Sequence, residues 1–564
     1  MKTCASCGRR PRGVRRPALT GSAPTSLTTS SSPSVLDRPT EAGSCFVLAP
    51  PSPSPRASLA CPKVVDHHVS DSPVTAPPPS APENPRKWFA LVAITLASLM
   101  VVLDAFIINI VLPEAQQELG ISDADRVWAV TAYAITFGGL LMLGGRIADI
   151  VGRKKTLVIS LIGFAIVSAI GGLSSTPEML FAARAAQGVF AAALAPAALS
   201  LLNVTFTNPR ERARAFAAYG AVQGAGGAVG LLLGGVLTEF VNWRWTLFIN
   251  VPISLVAVIT AMWAVRESHA GSSRRLDVLG AVLVTAGSAL LVVGFTYAAE
   301  PGAGWTSAVT IASLIGAVVL LAAFVFVQAK VKNPMLPLRI LTNRTRASAL
   351  SAGFLANAAV FGMFLFLTYY LQLSLGFTPL QTGFAFLPFS IGIVASATLS
   401  SSLLPRIGAK PLIVGGLILA TAGMAWLTTI GPSSWITVVL PSQILMGLGL
   451  GVTYVAINNA ALNGVTDADS GVASATINTT QQLGGALGVA LLNTVYATAL
   501  LTEGSGTPTG ATTLAAYQTA FLVSAALFLA ATIAGLLTRN SGKRAQSEDP
   551  TSEEAHASTP AATH

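Results

Sequence analysis

From residue 88 to residue 537 the chain repeats one pattern: long apolar runs separated by short polar connections. A bilayer core about 30 Å thick needs about 20 apolar residues at the helical rise of 1.5 Å. That ruler predicts spans near 88–112, 127–144, 156–174, 179–204, 215–238, 245–265, 276–298, 306–328, 347–371, 380–404, 411–430, 436–460, 471–497 and 515–537. The predicted fold class is therefore an all-α integral membrane protein with fourteen transmembrane helices. The two ends are different material. Residues 1–87 are rich in Ser, Pro and Arg, and residues 538–564 are again polar, so both are expected to be disordered tails.

Charge placement tests the count independently. Of 34 Lys and Arg, 31 fall in the two tails or in the connections after even-numbered spans; the exceptions are Arg126, Arg184 and Arg244. Opposite connections such as PEAQQELGISDAD hold acids or no charge. By the positive-inside rule both termini are expected in the cytoplasm, in a protein of the cell membrane. The longest connections on that side, 266–275 and 329–346, flank spans 7 and 8. Residues 88–265 then form a six-helix bundle, 266–346 a linker with two extra helices, and 347–537 a second six-helix bundle. A weak internal echo supports two related halves: in GRIADIVGRKK and SSLLPRIGAK, Gly408 and Lys410 fall in register with Gly152 and Lys154.

Composition removes several functions. Only 10% of residues are charged and 52% are apolar, against about 25% charged in soluble proteins. A soluble enzyme is excluded, and a nucleic-acid partner is not expected despite the net charge of +10. All four cysteines (Cys4, Cys7, Cys45, Cys61) lie in the N-terminal tail. Their spacing fits no common zinc ribbon, so no metal site is expected. The next methionine after Met1 is Met100, inside the first span, and a native start at a valine codon near Val64–Val74 is one hypothesis for this tail. Gly447, Gly449 and Gly451 lie inside an apolar span with no Lys-Ser/Thr following, so they are no phosphate loop. With no such loop elsewhere, ATP is not the expected energy source, and no nucleophile–base arrangement suggests an enzyme.

The connection after span 2 carries Gly145, Asp149, Gly152, Arg153 and Lys154. Anchoring on the basic side accounts for the cations but not for Asp149 or the glycine spacing. A carboxylate at a helix end with cations beyond it is suited to latch two moving bundles. This stretch resembles the loop 2–3 signature of the major facilitator superfamily, GxLaDrxGrk, with Ile147 in place of Leu and Ile150 where a basic residue is usual. LDAFIINIVLP, WAVTAYAITFGGLLMLGGRIAD and NWRWTLFINVPI resemble spans 1, 2 and 6 of that family's fourteen-spanner drug:proton antiporters, the multidrug resistance exporters. LFAARAAQGVFAA is similar to their span 4, and LGFTPLQTGFAFLPFSIG and GVASATINTTQQLGGALGVA to their spans 9–10 and 13. The span 5 signature gxxxGPxxGG is met at Gly226, Gly230, Gly234 and Gly235, with Leu231 where the proline stands. The resemblance covers roughly 88–537. It implies the major-facilitator fold, two six-helix bundles plus an inserted hairpin, and a gating role for Asp149 and Arg153 in the outward-facing state.

Two charges lie well inside predicted spans: Asp104 and Arg184. An intramembrane charge is expensive and commonly marks an ion or substrate path. Burial opposes the carboxylate's charge and a nearby arginine favours it, so Asp104 is the candidate proton carrier and Arg184 its partner. By resemblance Arg184, with Gln187, belongs to the span 4 coupling motif. Asn109, Gln187, Gln223, Gln372 and Asn478 are candidate cavity-lining amides. Together these features predict a secondary transporter that exports hydrophobic or amphipathic drugs in exchange for protons, by alternating access, with no cofactor beyond the proton gradient and no obligatory protein partner. A proton-coupled uptake symporter of the same fold, which the missing proline allows, and a non-transporting membrane sensor are the alternatives.

Overall fold

The computed structural model describes residues 85–269, 276–300, 302–331, 334–465, 467–503 and 510–539. The N-terminal tail with its four cysteines, and most of the C-terminal tail, lie outside the described residues. Among the described residues every regular element is helical. Fourteen segments are long and apolar enough to cross a membrane: α1 (Lys87–Leu119), α2 (Asp125–Val151), α3 (Arg153–Gly172), α4 (Pro177–Thr205), α5 (Pro209–Phe240), α6 (Trp245–Ala264), α7 (Val278–Ala299), α8 (Ala308–Lys330), α9 (Arg344–Ser374), α10 (Pro379–Ile407), α11 (Ala409–Leu427), α12 (Trp435–Leu462), α13 (Gly471–Leu501) and α14 (Gly510–Leu536). The predicted count stands. The predicted ends were short where a helix outruns the bilayer: α1 continues through Pro113 to Leu119, so most of PEAQQEL is helix rather than loop.

The helices group as the charge pattern suggested. In the first bundle α1 packs on α5 and α6, α2 on α4, and α3 on α4 and α6; in the second, α9 packs on α13 and α14, and α12 on α10 and α11. The hairpin α7–α8 lies against α2 of one bundle and α13 of the other. Its near end is closed by Asp277, which accepts from Gly280 N at 2.9 Å, Gln328 Nε2 at 2.6 Å and Met335 N at 3.2 Å. These bonds satisfy a carboxylate that is only 6% exposed.

The two turns of the internal echo share one conformation. Gly152 between α2 and α3 has φ +112°, and Gly408 between α10 and α11 has φ +82°. Each ends one helix and starts the next. Side chains with a Cβ are strained in that region, so the glycine is set by the backbone in both halves.

The face bearing the starts of α1 and α9 and the end of α14 is called here the near face, and the opposite one the far face. The two bundles are bonded together at the far face. Gln372 Nε2 donates to Ile110 O at 2.9 Å, Tyr369 OH to Gln116 Oε1, and Leu380 N to Glu239 Oε2 at 3.0 Å. Asn493 Nδ2 donates to Asp123 O at 3.0 Å and accepts from Arg126 Nε at 3.1 Å. Further in, Thr479 Oγ1 donates to Gly138 O at 2.9 Å. Toward the near face, Gln223 of α5 and Asn478 of α13 are exposed, and residues of α2, α4 and α13 line a cavity of about 200 Å³. The molecule is sealed on the far side and open on the near side.

Candidate functional site

Asp104 is fully buried at the centre of the first bundle. Its helix, α1, presents it inward, where α4 and the first turns of α6 bring up donors. Arg184 Nη1 donates to Asp104 Oδ2 at 2.5 Å. Gln187 Nε2 and Asn250 Nδ2 donate to Oδ1 at 3.1 and 3.0 Å. Arg184 is itself held by Ala129 O at 2.9 Å and Gln187 Oε1 at 2.8 Å, and its guanidinium lies 4.6 Å from the centre of the Tyr133 ring. Gln187 also donates to Ser168 Oγ at 2.7 Å. Every neighbour of the carboxylate is a donor, so the site is organised around the anion. A proton on Asp104 would have to displace one of these bonds.

The sequence paired Asp104 with Arg184, and the structure brings them together. It also adds three residues that sequence reasoning passed over: Ser168, Asn250 and Tyr133. Asn250 carried a signal, being the one amide within span 6; Ser168 and Tyr133 carried none, since small and aromatic residues are common in apolar helices.

The same helix connects this site to the space between the bundles. Two residues past Asp104, Phe106 points the other way. Its ring lies 5.5 Å from Phe364 and 6.2 Å from Phe361 of α9, and Phe364 stacks in turn on Phe386 and Phe389 of α10 at 4.9 and 5.2 Å. Phe106 and Phe361 are half-buried, and with the seam above them they roof the cavity with aromatic surface. Successive residues on a helix are turned by about 100°, so residues 104 and 106 lie on nearly opposite sides. One rigid helix therefore joins the buried carboxylate to the cavity roof.

The candidate lining amides separate into three groups. Gln223, bonded to Tyr219 OH at 3.3 Å, and Asn478 are exposed in the open half. On α13, Asn478 sits between the edge bonded to α2 through Thr479 and the edge packed on α9 through Gly484 and Phe354. Gln187 is not a lining residue: it belongs to the buried Asp104 network. Gln372 is not one either, because it ties the far-face seam, and Asn109 is 2% exposed with its amide donating to Phe106 O at 3.2 Å. An amide in a helix bonds to whatever its face meets, which the sequence does not specify.

The glycine motif of α5 has two duties. A Cβ at Gly226, Gly230 or Gly234 would meet Val102, Leu103 or Ile107 of α1 at 2.8–2.9 Å. Gly235 faces the other bundle instead, where a Cβ would lie 2.7 Å from Pro379 O. Gly383 returns the approach, against Leu231 O at 2.8 Å. Leu231, in the proline's place, is fully buried in a continuous helix.

At the near face, Asp149 pairs with Arg153 at 3.1 Å across the Gly152 turn, within one bundle. Gly145 lines the near-face cavity with Asp149. Lys154 Nζ donates to Met262 O at 2.9 Å, and Arg146 Nη2 to Pro334 O of the linker at 2.9 Å. Glu267 receives the backbone N–H groups of Lys154 and Lys155 at 3.0 and 3.1 Å, capping α3. The expected latch between bundles is not engaged in this near-open state; its members are bonded inside the first bundle and to the linker.

Two six-helix bundles sealed on one side, with a buried ion pair in one of them, define a membrane transporter rather than an enzyme. The family model described as Major Facilitator Superfamily matches residues 94–489, and the chain belongs to that superfamily. Among curated relatives it is 46% identical over 435 residues to the puromycin resistance protein pur8 of Streptomyces alboniger, covering 76% of this chain and 86% of that protein. It is 36% identical to the cephamycin export protein CmcT of Amycolatopsis lactamdurans, covering 78% and 90%, and 34% identical to a lincomycin resistance protein of Streptomyces lincolnensis, covering 73% and 85%. Among solved structures, a bacterial homologue of the human lysosomal transporter Spinster, inward-facing and unoccupied, matches with a TM-score of 0.57 at 16% identity, covering 81% of this chain and 97% of that one. That likeness supports the fold.

Proposed function

We propose that this protein exports apolar or amphipathic small molecules, antibiotics among them, in exchange for protons. The class of cargo is carried over from the relatives named above and from the aromatic roof of the cavity. The near face is taken as cytoplasmic from the 31 basic residues on that side, which makes the present state open to the cytoplasm with both termini there, in the cell membrane.

The observation that carries the coupling is the all-donor environment of Asp104. Protons running down their gradient must leave the carrier in the state open to the cytoplasm, and in that state Asp104 is arranged as an anion, paired to Arg184 at 2.5 Å. Substrate enters the cavity below Phe106. The bundles then rock, the near face closes, and the cavity opens outward. There a proton reaching Asp104 neutralises it and frees Arg184 from its counter-charge. The energy cost of that buried, unpaired cation biases the return to the state described here, in which the proton leaves. α1 carries the change between the carboxylate and the cavity roof. The proton gradient supplies the energy, and no cofactor takes part.

The test is flux in vesicles of known orientation under an imposed pH gradient, with a substrate first identified by growth protection of an efflux-deficient host across an antibiotic panel. Asp104→Asn is expected to insert normally and to lose gradient-driven efflux. Unchanged efflux in that variant would sink the assignment.

A further inference from the structure

Arg126 is one of three basic residues off the basic side, so topology does not account for it. It stands at the far-face start of α2, yet only 2% of it is exposed. Its guanidinium carbon lies 4.4 Å from the ring centre of Tyr369, 5.0 Å from Tyr496 and 5.6 Å from Phe366. All three rings belong to the second bundle. Tyr517 of α14 backs them, 5.1 Å from Tyr496 and 6.5 Å from Phe366. Nε donates to Asn493 Oδ1 at 3.1 Å, while Nη2 is buried and makes no hydrogen bond. A guanidinium with an idle, buried N–H group is held largely by ring faces. The carboxylate in contact, Asp123 at 3.3 Å, is 66% exposed and sits three residues before Arg126 in the same bundle.

This arrangement divides cleanly when the far face opens. Arg126 and Asp123 leave with the first bundle; the rings and Asn493 stay with the second. What stays is a set of converging electron-rich faces with one amide oxygen. Such a cage takes a weakly hydrated organic cation, whereas a metal ion needs several oxygen ligands to replace its water. We propose that the cage of Phe366, Tyr369 and Tyr496 is an exit subsite for the cationic head of an amphipathic substrate, filled by Arg126 whenever the far face is closed. The proposal rests on the export reading above. Arg126 acts in it as a tethered competitor: closing the far face returns the guanidinium to the cage and displaces the substrate head outward, so a cationic cargo is not carried back.

The test uses the full chain in lipid nanodiscs with no proton gradient. The probes are two ions of the same shape and opposite charge, tetraphenylphosphonium and tetraphenylborate, measured by equilibrium dialysis. Arg126→Ala removes a competitor held at an effective concentration in the millimolar range, so phosphonium binding is expected to tighten about tenfold. Borate binding is expected to stay unchanged. Adding Tyr369→Leu and Tyr496→Leu to Arg126→Ala is expected to cancel the gain. Should the Arg126 variant fail to assemble, Tyr496→Leu alone decides: a loss of about threefold in phosphonium binding supports the subsite, and no change overturns it. Unchanged phosphonium binding in Arg126→Ala, an equal gain for the borate, or a gain that survives removal of the rings also overturns it. With no gradient present, these results are independent of coupling at Asp104, and the Asp104→Asn flux result stands or falls without them.

Discussion

The buried pair of Asp104 and Arg184 makes a quantitative prediction. Asp104→Asn changes the volume little, so it leaves no cavity. It strips the counter-charge from an arginine that is 1% exposed. Breaking a buried pair from one side costs about 3–5 kcal/mol. Arg184 would keep Ala129 O, Gln187 Oε1 and the Tyr133 face, which puts the expected loss near the lower end, about 3 kcal/mol. Arg184→Gln leaves the carboxylate with only the amides of Gln187 and Asn250, and a similar loss is expected. The double variant buries no net charge. Its cost should be about that of one single variant, an interaction energy of about 3 kcal/mol. Guanidinium chloride unfolding in detergent micelles, followed by the fluorescence of the eight tryptophans, gives all three values. Additivity within about 0.5 kcal/mol, or single variants near wild type, would refute the reasoning. The flux assay separates stability from coupling: the double variant should regain stability and stay uncoupled. Recovered gradient-driven efflux in it would remove Asp104 as the proton carrier.

Three further variants probe other parts of the frame. Gly235→Val places a Cβ 2.7 Å from Pro379 O, so it should hold the far face apart and cut transport at least about tenfold; thiol labelling of far-face cysteines from outside should rise, and unchanged labelling contradicts the closure described here. Glu267→Ala removes the cap from α3 and should cost about 1 kcal/mol in the same unfolding assay, without changing flux per folded molecule. Gln223→Leu and Asn478→Leu alter exposed positions in the open half, so stability should move by less than about 0.5 kcal/mol. Relative rates for different substrates should shift severalfold, and an unaltered substrate profile would remove these residues from the cavity.

The sequence by itself determined the fourteen spans, their alternation and the identity of the buried ion pair. The reason is local: a bilayer demands about 20 apolar residues of self-satisfied helix and penalises each charge within them, so Asp104 and Arg184 stand out one residue at a time. The glycine turns at Gly152 and Gly408 were legible for the same reason, since a backbone conformation selects its residue. What only the tertiary structure decided is which faces meet. Gln187, Gln372 and Gln223 read alike along the chain, yet one completes the Asp104 network, one ties the far seam and one faces the open cavity. Arg126 looked like an exception to a charge rule until three rings from distant helices closed around it. Which side of the molecule is shut was equally hidden, because both states place the same residues in the same helices and differ only in how two packed bundles lean on each other.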